Sequence, residues 1–221
     1  MIWLLSLIVA LAGPAAGRQR PDADLLLHPG LPALNGRAPD RFAVRLDTSR
    51  GVVVIDVHRD WSPHGADRFY TLVRHGYYDG VRFHRVTAGR WVQWGINGDP
   101  RVSNAWREAT IPDDPRRVSN TRGTVAFAFK DPNGRTTQVF VNLRDNSETH
   151  DAEPFTPFGV VVEGMDVLDS LYSGYGEEAG SGIRSGRQGP LFAEGNAYLE
   201  REFPKLDYIV TATIVEVRQQ A

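Results

Sequence analysis

Short runs of β-branched and aromatic residues, separated by turn-forming residues, recur along most of this chain of 221 residues. Runs of this length between turn signals are typical of strands. They do not alternate with long helices, as the strands of a parallel sheet do. The pattern therefore predicts a mainly β fold, arranged as a closed and largely antiparallel barrel. The predicted strands cover residues 41–46, 52–58, 81–86, 91–94, 123–129, 138–143, 158–162 and 208–217.

Two segments have the residue spacing of helices instead. Ser62 and Pro63 are typical of a helix start, and apolar residues recur at helical spacing across residues 66–73. Gly76 follows as a natural helix end. A second, shorter helix is predicted over residues 163–171.

The region between the second helix and the last strand carries a different signal. Residues 173–189 are rich in Gly and Ser, which predicts a mobile loop. A helical turn is predicted after it, over residues 196–203, before the chain returns to the barrel.

The N-terminus is typical of an exported protein. Residues 1–17 contain an apolar run followed by small residues, which predicts a signal peptide cleaved near Ala16. The run is shorter than the ~20 residues that span a bilayer, although an uncleaved membrane anchor is the alternative. Residues 18–40 contain four prolines and predict an N-terminal extension, so the domain is expected to occupy residues 41–221. We expect a periplasmic or secreted protein.

The composition argues against several classes of function. The chain has no cysteine, which removes disulfides, thiolate nucleophiles and cysteine metal sites. Its six histidines show no metal-ligand spacing beside a carboxylate motif. A net charge of −2 provides no global positive field for nucleic acid. We therefore expect no cofactor, no metal and no nucleic-acid partner.

Six sequence motifs follow one another in order along the chain. They are GVVVIDV (51–57), ADRFYTL (66–72), GYYDG (76–80), FHRV (83–86), TQVFVN (137–142) and PFGVVVEGM (157–165). In this order and at this spacing they resemble the cyclophilins, a family of peptidyl-prolyl cis/trans isomerases, and most of all the bacterial exported members. The resemblance covers about residues 41–171. It implies an eight-stranded barrel capped by two α-helices, with the active groove on one outer face.

The resemblance also assigns the site, position by position. Arg85 matches the catalytic arginine, and Gln93 and His84 match the residues beside it. It implies a groove that binds peptide and proline through Trp91, Ala128, Phe129, Gln138, Phe140, His150 and Phe155. For Ala128 and Phe129, it implies that backbone groups hold the peptide. No metal or cofactor is implied, and a monomer is expected.

An arginine suits the chemistry of this reaction. Resonance in the X–Pro amide produces a rotational barrier of ~18–20 kcal/mol, and twisting the bond returns a lone pair to nitrogen. A guanidinium can donate a hydrogen bond to that twisted form and stays charged at all working pH values. No bond is made or broken, so no nucleophile or metal is needed.

Several positions depart from the family pattern. Arg90 and Trp91 stand where the family places phenylalanine and methionine, and Arg90 would either enter the pocket or extend into solvent above Trp91. His150 replaces a leucine and Phe155 a histidine. Thr149 lies near the position of a tryptophan found in cyclosporin-sensitive members, which predicts weak cyclosporin binding at most.

The function expected from these residues is the isomerisation of X–Pro bonds during the folding of exported proteins. The partners would be proline-containing polypeptides. Two alternatives remain open. The first is a catalytically weak cyclophilin-like module that binds peptides or acts as a chaperone, and the second is a barrel that binds a small ligand.

Overall fold

Eight antiparallel strands form one curled sheet in the computed structural model, which describes residues 24–215. The predicted signal peptide lies outside the described residues. The prediction of a mainly β, eight-stranded antiparallel fold is confirmed. The strands are β1 (Arg41–Thr48), β2 (Gly51–His58), β3 (Arg85–Thr87), β4 (Trp91–Trp94), β5 (Thr124–Phe127), β6 (Val139–Asn142), β7 (Pro157–Glu163) and β8 (Ile209–Val215).

The sheet is less completely closed than predicted. Its strand order is β3-β4-β6-β5-β7-β2-β1-β8, so β3 and β8 are the two edges. The two edges are joined by backbone hydrogen bonds between residues 80–83 and residues 207–209 rather than by a full strand pair. Gly80 N donates to Ile209 O at 2.8 Å, Ile209 N donates to Val81 O at 2.9 Å, and Phe83 N donates to Asp207 O at 3.0 Å. Of the predicted strand 81–86, only the last two residues therefore belong to β3.

Helices cover more of the described chain than predicted. They are α1 (Pro63–Arg74), α2 (Pro100–Trp106), α3 (Ser147–His150), α4 (Met165–Asp169), α5 (Gly189–Glu194) and α6 (Asn196–Glu202). The first predicted helix corresponds to α1 and the second to the shorter α4. α2 was missed because it has only two turns, too few for a clear apolar period.

The start of α1 is held by a residue distant in sequence. Ser62 precedes the helix, but its side chain donates to Asp114 at 2.5 Å instead of capping the helix. Asp114 accepts the backbone N–H groups of His64 at 3.2 Å and Gly65 at 3.1 Å. It also forms a 2.9 Å ion pair with Arg135, whose side chain is fully buried. A buried ion pair of this kind requires both partners, because either one alone would be an uncompensated charge.

The main core lies between the inner face of the sheet and α1. Alternate residues of β1 and β2 point inward, and Phe69 of α1 packs on Phe158 of β7 with ring centroids 4.9 Å apart. A large apolar side chain contributes about 1.5–3 kcal/mol when it leaves water. The core thus fixes the strands whose opposite face carries the candidate site.

The N-terminal extension is not a free tether in its described part. Leu26 and Leu34 are buried in the main core, and Trp106 donates its indole N–H to Leu26 O at 2.8 Å. Ala38 N donates to Asp67 at 2.8 Å. The folded unit therefore begins before the predicted boundary at Arg41. The sequence analysis missed these few apolar contacts because the segment is rich in proline.

Residues 173–189, which we call the strap, lie against the barrel rather than projecting from it. Ala179, Gly180 and Ser181 are buried. Ala179 belongs to a second apolar cluster that also contains Ile96, Leu191, Leu199 and Leu206. The prediction of a mobile loop is corrected, because α5 and α6 behind the strap provide an apolar base for it. Within the described residues no helix is long and apolar enough to cross a membrane.

Candidate active site

Three neighbouring strands place the central side chains of the site in register. Arg85 of β3 lies opposite Gln93 of β4, which lies opposite Phe140 of β6. Phe140 in turn lies opposite Ala126 of β5. Residues that face each other across paired strands point to the same side of the sheet. The strand alternation therefore brings a cation, an amide and an aromatic ring together.

A cavity of about 440 Å³ opens over these strands. Of the ten predicted site residues, all except His84 and Gln138 line it. The strap forms another wall with residues 181–185. The remaining lining residues are Arg90, Arg144, Thr149 and Glu153.

The apolar end of the cavity is a cluster of rings. Phe155 packs against Phe140 at 5.4 Å between ring centroids and against Phe129 at 4.5 Å. His150 lies 5.3 Å from Phe140 and 5.6 Å from Trp91. Phe129 therefore contributes its side chain, whereas the sequence suggested mainly its backbone. Such a ring-lined slot suits a small, apolar pyrrolidine ring.

His150 belongs to this apolar end in its neutral form. Burial lowers its pKa below the ordinary value, and the positive charge of Arg85 acts in the same direction. Its Nδ1 lies 3.3 Å from the Oδ1 of Asn142. A neutral imidazole among aromatic rings can close the pocket where the family has a leucine.

Of the two positions considered for Arg90, the side chain takes the one that extends outward. Its side chain is exposed, and its guanidinium carbon lies 6.0 Å from the centroid of the Trp91 ring. The charged end remains near water while the indole stays half-buried below it. Arg90 therefore does not fill the apolar end of the cavity.

The guanidinium of Arg85 is held from three sides. Its Nε donates to Glu177 Oε1 at 2.8 Å, and its Nη1 donates to Gln93 Oε1 at 3.0 Å. The Trp91 ring lies 4.7 Å from its guanidinium carbon, within cation–π distance. A side chain at Gly182 would come within 3.0 Å of Nη1, so the strap backbone packs closely on this group. Arg85 is thus fixed at the polar end of the cavity.

A chain of amides continues from Arg85 into the strap. Gln93 donates to Gln138 Oε1 at 2.9 Å, and Gln138 and Gln188 exchange hydrogen bonds at 2.8 and 3.0 Å. Gln188 also donates to the Ser181 carbonyl at 3.1 Å. This pairing explains why Gln138 is buried at the edge of the cavity instead of lining it.

His84 does not reach the cavity. It is 1% exposed, and neither ring nitrogen has a hydrogen-bond partner. Burial, with a further contribution from the positive charge of Arg85, lowers its pKa to about 3. The expectation that His84 lies on the groove floor is therefore corrected, because the side chain is buried beneath the strap, where a Cβ at Gly180 would lie 3.5 Å from its Cδ2.

The residues of the strap are what the sequence analysis missed. Glu177 lies against Arg85, and its other oxygen accepts a short hydrogen bond from Ser181. Arg184 forms a 2.5 Å ion pair with Glu153 and lies 4.7 Å above the Phe129 ring. The available signal was the presence of long polar side chains in a segment otherwise rich in Gly and Ser. Such side chains are not expected in a free linker.

The described residues contain no group of three or more His, Asp or Glu side chains that could hold a metal ion. The polar groups that converge on the cavity are amides and guanidinium groups, with carboxylates already paired. Such a set can donate hydrogen bonds and orient an amide. It contains no activated nucleophile.

Comparison with known proteins adds the family. Residues 43–184 match the family model "Cyclophilin type peptidyl-prolyl cis-trans isomerase/CLD". The chain is 29% identical over 179 residues to peptidyl-prolyl cis-trans isomerase B of Escherichia coli strain K12, covering 78% of this chain and 98% of that one. It is 34% identical over 136 residues to peptidyl-prolyl cis-trans isomerase cyp18 of Streptomyces antibioticus, covering 58% of this chain and 81% of that one.

The fold is also similar to a solved structure. A cyclophilin type isomerase from Cryptosporidium parvum, crystallised in the presence of the dipeptide Ala-Pro, has a TM-score of 0.56 and 19% identity. The match covers 79% of this chain and 99% of that one, and at this identity it concerns the fold alone. With the family model spanning most of the barrel and its site strands, this chain belongs to the cyclophilin-type peptidyl-prolyl cis-trans isomerases and is an enzyme of that class.

Proposed function

We propose that this enzyme accelerates X–Pro rotation in exported polypeptides, with Arg85 as the catalytic side chain. The single observation that carries the proposal is the position of the Arg85 guanidinium at the polar end of a ring-lined cavity. The proline ring would enter the slot formed by Phe140, Phe155 and His150. The imide nitrogen next to that ring would then lie within reach of Arg85.

Arg85 has hydrogen-bond capacity to spare. A guanidinium carries five N–H groups, and three contacts engage it: Nε and Nη2 with Glu177, and Nη1 with Gln93. The remaining N–H groups can donate to the substrate. A charge-assisted hydrogen bond contributes about 1.5–3 kcal/mol, which corresponds to roughly a tenfold to hundredfold acceleration when the bond exists only in the twisted state.

Gln93 positions this arginine. Its Oε1 accepts from Arg85 while its Nε2 donates to Gln138, so the amide cannot rotate without losing one of the two bonds. An oriented donor needs no reorganisation as charge develops on the imide nitrogen. The relative crystallised with Ala-Pro supports a proline-containing ligand for the fold.

The second candidate function is a peptide-binding module with little turnover. One observation favours it: Glu177 and Gln188 of the strap already hold Arg85 and Gln138. A substrate would have to share or replace those contacts. His150 and Phe155 also depart from the family pattern, and a slot that accepts proline less readily because of them would favour the same candidate.

The deciding experiment is NMR exchange spectroscopy on an Ala-Pro peptide. We expect the purified protein to accelerate exchange, and Arg85→Ala to lose roughly tenfold to hundredfold in rate. Arg117→Ala, at an exposed arginine outside the cavity, is the matched control. Binding of the peptide without acceleration would replace the enzyme proposal by the binding module.

Export and a monomeric state are also part of the proposal. The signal-peptide pattern of residues 1–17 supports export. Cell fractionation with N-terminal sequencing tests it: a mature chain that starts near residue 17 supports cleavage, and an intact chain in the membrane fraction supports the anchor instead. Sedimentation of the mature protein tests the monomer.

A further inference from the structure

The cavity carries more positive charge than its carboxylates compensate. Its charged lining residues are Arg85, Arg90, Arg144, Arg184 and Glu153. Arg184 is paired with Glu153, and Arg85 is paired with Glu177 of the strap. In the part of the chain that the structure describes, neither Arg90 nor Arg144 forms an ion pair with a carboxylate. Two uncompensated cations therefore border the site of a chain whose net charge is −2.

One buried side chain holds these two arginines on the same rim. Asn146 is 3% exposed and donates its Nδ2 to the Arg90 carbonyl at 3.0 Å. Its Oδ1 accepts from Arg144 Nε at 3.0 Å. Leu143 N donates to the same Arg90 carbonyl at 2.9 Å, which fixes the turn before β4 against the end of β6. The arginines are thus presented together by the fold.

The place of Arg90 relative to the slot is equally defined, and Arg144 lines the same cavity. The Arg90 guanidinium carbon lies 6.0 Å from the Trp91 ring, and that ring lies 5.6 Å from His150. An extended chain advances about 3.3–3.6 Å per residue. A side chain one or two residues from a bound proline can therefore reach the rim.

We propose that Arg90 and Arg144 form an anion-binding rim that favours substrates with Asp or Glu within two residues of the proline. This inference rests on the proposed function and specifies its substrate class. Arginine presents N–H groups in a planar fork that matches a carboxylate. A cleft lined by one sign of charge also attracts ligands of the opposite sign. The departure at position 90 then serves selectivity instead of impairing the pocket.

The test compares short proline peptides that differ in one side chain. Glu, Gln or Lys is placed at each of the two positions before and the two positions after the proline, and kcat/KM is measured by NMR exchange. Exposed ion pairs are individually weak, so we expect the best Glu peptide to exceed its Gln counterpart by roughly threefold to tenfold. The Lys peptide should be poorer than both. The preference should shrink as salt is raised from about 0.02 to 0.5 M.

Two variants locate the preference on the protein. Arg90→Gln and Arg144→Gln should each reduce the Glu-to-Gln ratio, and the double variant should bring it to about one. Arg117→Gln removes the same charge from an exposed residue that does not line the cavity, and should keep the ratio of the wild type. All three positions are exposed, so folding should be retained.

The outcomes separate the two proposals. Acceleration that is equal for Glu, Gln and Lys peptides would overturn the anion-binding rim and leave the proposed function intact. A preference that survives in the double variant would assign it to other residues and also overturn the rim. Failure to accelerate any peptide would overturn the proposed function, and this inference with it.

Discussion

The Arg85 guanidinium forms an ion pair with Glu177, with Nη2 lying 2.7 Å from Oε1 across 92 positions of sequence. The proposed catalytic cation is therefore in contact with a carboxylate of the strap. Hydrogen bonds from Arg85 and Ser181 outweigh the effect of burial and lower the pKa of Glu177 below its ordinary value. Glu177 is thus ionised at neutral pH and, in the proposed function, would partly neutralise the charge that Arg85 offers to a substrate.

We predict that Glu177→Gln raises kcat/KM. A charged hydrogen bond is stronger than a neutral one by about 1 kcal/mol, so the gain should be about fivefold. NMR exchange on an Ala-Pro peptide measures it. Glu178→Gln, at the exposed neighbouring residue, is the control and should behave as the wild type. A decrease in the Glu177 variant would mean that this carboxylate orients Arg85 rather than restraining it.

Cyclosporin should bind weakly, with a dissociation constant above about 1 μM. The reason is the missing tryptophan near Thr149, a residue that lines the cavity. Thr149→Trp should tighten binding by roughly threefold to tenfold, since a well-placed aromatic ring adds about 0.5–1.5 kcal/mol. Isothermal titration calorimetry checks both values. Nanomolar binding by the wild type would refute the prediction.

Acid should destabilise the protein through His84. Its folded-state pKa is about 3, below the ordinary 6.5, so between these values the unfolded chain binds a proton that the folded chain excludes. Stability is then fully present above about pH 6.5 and falls as pH decreases, by up to ~1.4 kcal/mol per pH unit from this group. His84→Leu should flatten the decline between pH 6.5 and 4 in urea titrations.

The matched control for this measurement is His28→Gln, at an exposed histidine. It should keep the slope of the wild type. An unchanged slope in His84→Leu would show that another group causes the loss of stability.

Asp114→Asn should destabilise the fold strongly. Arg135 is fully buried and its Nη2 lies 2.9 Å from Asp114, so the variant removes the nearer and more buried of its two carboxylate partners. Losing one partner of a buried pair costs about 3–5 kcal/mol. The urea midpoint measures the loss.

Asp113→Asn offers a graded comparison for that prediction. Asp113 lies 3.4 Å from Arg135 and is 20% exposed, so its removal should cost less than about 1 kcal/mol. Equal losses in the two variants would argue that the ion pair is not the cause.

The face of the barrel that carries the site could be predicted from the sequence. Arg85, Gln93 and Phe140 lie on short strands whose side chains alternate between two faces, and the motifs specify which strands these are. The burial of His84 could not be predicted in this way, because this residue lies just before β3 and the strap covers it only in the folded protein.

The sequence by itself determined most of the strands and the first helix, because these depend on residues that are near neighbours or follow a short period, whereas the residues of the aromatic slot were assigned through the family resemblance. Only the tertiary structure decided what covers them. Glu177 meets Arg85, and Gln188 meets Gln138 across 50 positions, by contacts that no periodic pattern encodes. The strap rests on its own small apolar cluster, and Leu26 reaches the core from a proline-rich segment. Such long-range docking depends on how separate surfaces fit together once folded.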